Sequence, residues 1–392
     1  MKLAEHGSRD QRINMLILSE GYTEAELPKF RADALALTRR IFAEPPFSFY
    51  SNYFNVFALE VASAESGSDH PSQGIFRDTY FNSSYDINGS HVITIPPHRT
   101  DVSYATGQGK VDALAMQFLP ETHLKLMLVN DPAFGGFAAS TAIASTHEQG
   151  SEIMLHELGH LFAGLGEEYS GSGVLAAETP NTTTETRPDW IKWRAWIDPT
   201  TPIPTPNAAN DARVGLFEGA AYNQFGWYRP KFDCKMRTLG VPFCEVCSEA
   251  IINAVYWRVR PFESVSPPGN RVQLTGNTAT IFQVAPQRPS GHALAIEWIV
   301  NGQLITRDTS LELSANFFGP GIHEVRMRIE DPTDRLRIDR TMLIDGHSWQ
   351  VEVSNTAQPA LLLVRAGKQL EIRWSAAWTG FHLEEGTLNG ST

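Results

Sequence analysis

Basic charge is scarce in this sequence. The 32 Lys and Arg residues stand against 44 Asp and Glu, a formal net charge of −12. That excludes a generally basic face of the kind that displaces counterions from a nucleic-acid backbone, so no nucleic acid partner is expected. Charge of either sign is thin too: it makes up 19% of the chain, against about 25% in average domains. With 42% hydrophobic residues this is not the composition of a disordered acidic tail. No stretch approaches the roughly 20 apolar residues that cross a bilayer as a helix, so no transmembrane segment is expected. The three cysteines, Cys234, Cys244 and Cys247, are too few and too clustered for a disulfide-stapled scaffold. Met1 to Gln11 is polar and the first apolar run, Ile13–Leu18, is short, so no signal peptide is read. Small-molecule, peptide and glycan partners stay open.

At roughly 150 residues per domain, a chain of 392 residues is expected to hold two to three. Its first part alternates strand and helix signals. Ile13–Leu18, Phe54–Val61 and Leu124–Val129 read as strands, and Glu24 to Phe42 has helical spacing ended by Pro45-Pro46. This order suggests an α/β (α+β) layer structure. Asn130 to Ser140 reads as a loop around Gly135-Gly136. Ser151 to Ala163 reads as a helix with Ser151 near its N-cap and Gly164 and Gly166 closing it. Trp190, Trp193 and Trp196 sit three apart and read as a buried helical stripe. Ser248 to Val259 reads as a further helix. The texture changes after the linker Val265-Ser-Pro-Pro-Gly269. Short alternating runs follow at Arg271–Leu274, Thr278–Val284, Ala293–Val300, Ser310–Leu313, Gly321–Ile329 and Arg337–Ile344, with a hairpin signal at Asn301-Gly302. They suggest an Ig-like β-sandwich with Trp298 in its core, though no cysteine pair accompanies it. Leu361–Val364, Leu370–Trp374 and Phe381–Leu383 add a short β segment. The expected domains are therefore 1–262, 265–353 and 354–392, the last a partial β module or extra strands.

Chemistry concentrates at His156-Glu157-Leu158-Gly159-His160, which is H-E-x-x-H. On a helix the two histidines share one face and can reach one metal ion. Glu157, rotated about 100° from His156, can flank the ion without ligating it. Zinc in a catalytic site takes three protein ligands and leaves one position open to water, whose pKa it lowers toward about 7. Glu157 would then take the water proton and pass it to the leaving amine.

The longer run His156-Glu-Leu-Gly-His-Leu-Phe-Ala-Gly-Leu-Gly-Glu-Glu-Tyr169 resembles the H-E-x-G-H-x-x-x-x-L-x-[DE]-E-Y motif of the M64 (IgA-peptidase-type) metallopeptidases. Other segments resemble that family in the same order: Asn14–Thr23, Trp193 through Thr205, Phe217-Glu-Gly-Ala, Tyr228-Arg-Pro230, Cys234-Lys-Met236-Arg and Phe243-Cys-Glu-Val-Cys247. The resemblance covers residues 10 to 260 and implies a zinc endopeptidase with a metzincin-like catalytic domain. Metzincins place their third ligand six residues after the second histidine. That position is Gly166 here, which cannot ligate. Glu167 stands three residues after Gly164, the offset metzincins use after their own glycine, and is favoured; Glu168 is the other candidate. The resemblance suggests that Met236 is the Met-turn beneath the zinc. Tyr169, Tyr222 and Tyr228 are candidates to stabilise an oxyanion, with Tyr228 preferred. For the cysteines, a local disulfide of Cys234 with Cys244 or Cys247, three reduced thiols and a metal site all stay open. The metal site lacks an evident fourth ligand nearby in the sequence.

The expectation is a Zn2+-dependent endopeptidase, secreted or at the cell surface with a trimmed start, acting on a protein or peptide. Its β modules would position a glycoprotein or another cell-surface component. Two other classes fit the motif: a non-catalytic, adhesin-like binding protein on a metallopeptidase scaffold, and a zinc hydrolase of non-peptide amides. Substrate choice is expected to reside in the irregular stretch from Ser170 to Leu216.

Overall fold

Ile13–Glu20 is buried at every residue, which a half-exposed strand could not be. In the computed structural model it is a central strand with parallel neighbours on both sides, where both faces are covered. The structure describes residues 1–86, 92–98, 102–173, 175–208, 211–276, 278–354, 361–366 and 369–373. The described chain forms two units. One comprises 1–260 with 288–292 and 333–342; the other comprises 261–287, 293–332 and 343–392.

The first unit is built on β1 (Lys2–Ala4), β2 (Ile13–Glu20), β3 (Phe54–Leu59), β4 (Thr122–Val129), β5 (Gly136–Ala138) and β6 (Ala142–Ser145), in the order β1-β3-β2-β4-β6-β5. The inner strands run parallel, while β1 and β5 are antiparallel edges. Four helices accompany the sheet: α1 (Leu27–Ile41), α2 (Gln108–Phe118), α3 (Gly150–Ala163) and α4 (Glu245–Arg258). On α1, Phe30, Ala34, Leu37 and Ile41 are buried, the face its spacing predicts. A hairpin, β7 (Phe217–Ala220) and β8 (Asn223–Arg229), completes the unit.

Three sequence readings change here. The loop expected over Asn130 to Ser140 contains β5. Its double glycine conceals a three-residue edge strand, and a side chain at Gly136 would strike Ile153 Cγ2. The tryptophan stripe is not helical: Trp190 and Trp196 lie in separate 3-10 turns, Trp193 is buried and Trp190 is exposed. Arg340–Leu343 is a 3-10 turn where a strand over Arg337–Ile344 was expected; the strand starts at Ile344.

The second unit contains β9 (Phe262–Ser266), β10 (Arg271–Leu274), β11 (Thr280–Pro286), β12 (Ala295–Val300), β13 (Gln303–Thr306), β14 (Ser310–Leu313), β15 (Gly321–Glu330) and β16 (Ile344–Val353). They form a five-stranded sheet, β10-β16-β15-β12-β13, and a three-stranded one, β14-β11-β9. One core draws side chains from both, including Phe282, Val284, Trp298, Met327 and Trp349. Trp298 stacks on Trp349 with ring centroids 5.7 Å apart. Asn301 and Gly302 both take positive φ, 48° and 82°, as a tight hairpin between β12 and β13 requires. β17 (Leu362–Ala366) and β18 (Gln369–Arg373) pair with each other. The strand read at Phe381–Leu383 lies outside the described residues. Among the described residues no helix is long and apolar enough to cross a membrane.

Candidate metal centre

Helix α3 starts one residue earlier than the sequence suggests. Its N-cap is Gln149 rather than Ser151 and makes no side-chain capping bond. Its end follows the expectation: Gly164 takes a left-handed φ of 63°, and the Gly164 and Leu165 amides bond back to the carbonyls of His160 and Gly159. This reversal carries the chain back past the helix face that presents His156 and His160.

Glu167 arrives there. His156 Nε2 and His160 Nε2 lie 3.1 Å apart, and the Glu167 carboxylate stands 3.1 Å from the first and 3.2 Å from the second. Each imidazole is fixed from behind. His156 Nδ1 lies 3.0 Å from the Lys235 carbonyl oxygen, and His160 Nδ1 lies 2.6 Å from that of Leu165. A carbonyl can only accept, so in the neutral rings the proton sits on Nδ1 and the Nε2 lone pairs face each other. Glu167 adds negative charge, with Oε2 toward His156 and Oε1 toward His160. Such a donor set repels itself unless a proton or a cation sits among these atoms. Taken with protein groups alone, burial lowers the His156 pKa, but the bond and charge of Glu167 override it and raise the value to about 9. Glu167 itself is held far below the usual carboxylate range: burial opposes this, and the two histidines outweigh it. Nitrogen and oxygen ligands about 2.0–2.1 Å from a tetrahedral ion stand roughly 3.3 Å apart. The donor set therefore fits a divalent cation.

The backing is buried and ion-paired. The Lys235 side chain is fully buried, with Nζ 2.6 Å from Glu152 and 3.5 Å from Glu44, and Arg40 pairs with the same two carboxylates. Two positive and two negative groups balance, which fixes the turn that offers its carbonyl to His156. Met236 follows on that turn and is fully buried. A Cβ at Gly159 would lie 2.7 Å from Met236 Sδ, so the glycine is what lets the thioether pack under the helix between the two histidines.

Glu157 borders the same cleft as Glu167 and β5. Burial pushes its carboxyl up to about 7; the two histidines pull it down and Glu167 adds to the rise. Tyr222 also lines the cleft, and its hydroxyl donates to Glu167 Oε1 at 3.1 Å. Ala221 and Tyr222 form the two-residue tip of the β7–β8 hairpin with φ of 50° and 61°, a conformation that favours Asn-Gly. Holding a tyrosine there is strained, and the strain directs its ring at the site. Tyr169 packs edge-on against it, and the two hydroxyls are 3.4 Å apart.

Two sequence candidates lie elsewhere. Tyr228 sits near the end of β8, opposite Glu218 and bonded through its backbone to Thr183, and it is not among the residues that line the cleft. Glu168 turns away from the histidines and is fully buried beside Cys234 and Cys247. Asn181 governs this divergence. Its Oδ1 accepts from the Gly166 amide at 2.7 Å, and its Nδ2 donates to the Gly166 carbonyl and to Glu168 Oε1, both at 2.9 Å. The cysteines form no disulfide; all three are free and buried. No sequence signal marks Asn181, which stands in a threonine-rich loop.

A model of the family described as IgA Peptidase M64 matches residues 1–211 and 207–255. No curated protein matches. Among solved structures, the chain is similar at 18% identity to one described as "Structures of Clostridium thermocellum CbhA fibronectin(III)-like modules", with a TM-score of 0.17. That match covers 23% of this chain and 44% of the other, less than half of the neighbour. A likeness at that TM-score carries no argument.

Proposed function

The chain belongs to the IgA Peptidase M64 family, and from that premise we propose that it is a zinc-dependent endopeptidase with a metzincin-like catalytic unit. The observation that carries the reading is the convergence of His156, His160 and Glu167, with the two Nε2 atoms 3.1 Å apart, Glu167 Oε2 3.1 Å from His156 and Glu167 Oε1 3.2 Å from His160, beside the buried Glu157. His156, His160 and Glu167 would hold zinc. Bound there, the ion would supply Lewis acidity, polarising a scissile carbonyl and acidifying a water.

The protein groups supply the rest. Glu157, whose carboxyl is raised by burial, would take a proton from water and return it to the departing amine. Tyr222, at the rim, is the donor best disposed toward a developing oxyanion, in place of Tyr228. An extended peptide is the ligand that the cleft suits. β5 is the outer strand of its sheet, lines the cleft through Gly136, Phe137 and Ala138, and among the described strands has one edge without a neighbour, open to main-chain pairing. Leu175, Ala176 and Ala177, from the irregular stretch expected to choose substrates, line the same cleft. Export to the cell exterior and an Ig-like role of the second unit in positioning glycoprotein or surface partners belong to the same proposal.

The test is cleavage of a diverse peptide library by the full chain before and after chelation. Cleavage that disappears with the metal and returns with zinc supports the proposal. A zinc-loaded protein that leaves every peptide intact, yet captures some of them, makes it a binding protein instead.

A further inference from the structure

The three cysteines and Glu168 are not used by the chemistry above, yet they converge. We propose that Glu168, Cys234, Cys244 and Cys247 bind a second zinc ion with a structural role. Their ligand atoms all lie within 4.8 Å of one another, and all four residues are buried. Cys234 Sγ and Cys247 Sγ are 3.7 Å apart. A disulfide needs about 2.05 Å. Thiolates about 2.3 Å from a tetrahedral ion stand roughly 3.8 Å apart, which is the separation seen. Glu168 Oε1 is 3.1 Å from Cys247 Sγ, closing the fourth corner.

Two further observations point to a ligand. Glu168 Oε2 is buried without any hydrogen-bond partner, an unsatisfied position that a carboxylate keeps only at a cost. The Cys244 amide donates to Cys234 Sγ at 3.2 Å, a bond that favours a thiolate over a thiol. The placement also suits negative sulfur. Cys244 is the N-cap of α4 and Cys247 lies in its first turn, where the helix dipole favours anions. The buried Arg229 adds a positive field at Glu168. Cys244-x-x-Cys247 is the spacing of a metal knuckle, and three soft sulfurs with one oxygen select zinc in a closed, four-coordinate site. The fourth ligand is invisible in sequence because Glu168 stands far upstream of the cysteines.

This site would tie together the two segments that shape the first one. Glu168 follows Glu167, while Cys234 precedes Lys235 and Met236, whose carbonyls hold His156 and the Glu168 amide. The site is closed and carries no position for substrate.

The experiment is metal analysis of the full chain, paired with zinc X-ray absorption. Wild type should hold about two zinc ions per chain, and H156A about one, the remaining ion showing sulfur scattering at about 2.3 Å. The H156A variant leaves the cysteine cluster intact, so the reading survives even if C244S or C247S fails to fold. Where C247S folds, it should drop to about one ion without sulfur scattering. One ion per wild-type chain with only nitrogen and oxygen neighbours overturns the second site and leaves the first standing. A Cys234–Cys247 disulfide found by mass spectrometry of the unreduced protein overturns it as well. Two ions in wild type and none in H156A would refute the independence of the sites.

Discussion

Replacing Asn181 with Ala removes no metal ligand and no reacting group, yet it should disturb the whole centre. Asn181 is fully buried and makes three bonds that hold this segment: from the Gly166 amide, to the Gly166 carbonyl, and to Glu168. Its fourth contact, with Thr179, is less costly to lose because Thr179 also bonds Thr182. At about 1 kcal/mol net for each lost bond, the change amounts to roughly 3 kcal/mol. Because the freed segment carries Glu167, that energy divides between folding and metal binding. If all of it fell on binding, zinc affinity would drop roughly 150-fold, just above the 10–100-fold typical for groups that orient metal ligands. Zinc competition against a chelator reads one part, and urea unfolding followed by tryptophan fluorescence reads the other. If both stay within about 0.5 kcal/mol of wild type, Asn181 does not steer the adjacent carboxylates and the reasoning fails.

Three more outcomes follow from the same geometry. Glu167→Ala should raise the zinc concentration needed for half-maximal cleavage by more than about 100-fold, and Glu168→Gln by much less, since only Glu167 meets the histidines; equal shifts would contradict that assignment. Tyr222→Phe should lower kcat by about 100-fold with KM little changed, whereas Tyr228→Phe should leave kcat within a few-fold of wild type. Steady-state kinetics on one good peptide decides between them. For Glu178, burial pushes the carboxyl up, but the Thr184 amide, Lys192 and Thr183 outweigh it and bring the pKa from 4.5 to about 2. A depressed folded pKa means that its contribution is complete above about pH 4.5 and is lost as pH falls through about 2. Carboxyl NMR should therefore find Glu178 titrating near 2, and a midpoint near 4.5 would show the loop contacts absent in solution.

The long periodic segments were legible because burial imposes their pattern. Ile13–Leu18, the α1 face and the Asn301-Gly302 hairpin each appear where their residues suggest. So does the H-E-x-x-H face, since the i, i+4 relation is local to one helix. Relations between distant segments were not legible. Nothing in Glu167-Glu168 says which carboxylate faces the histidines; that depends on Asn181 bonding Gly166 from another loop. The choice among Tyr169, Tyr222 and Tyr228 depends on a strained turn at Ala221-Tyr222 that no propensity favours. Gly136 carries the mark of a loop because an edge strand this close to Ile153 and Glu157 has no room for a side chain at that position. The cysteines read as a disulfide candidate because their fourth partner, Glu168, is remote in sequence.

The central claim is that Glu157 performs acid–base chemistry beside a metal held by three other residues. It is tested most directly by comparing Glu157→Gln with wild type in one preparation, measuring zinc content and peptide cleavage together. The amide keeps the size of the side chain and removes its basicity, so zinc content should be unchanged and cleavage should fall by about 100- to 10,000-fold. Equal cleavage by the two zinc-loaded proteins would contradict the account.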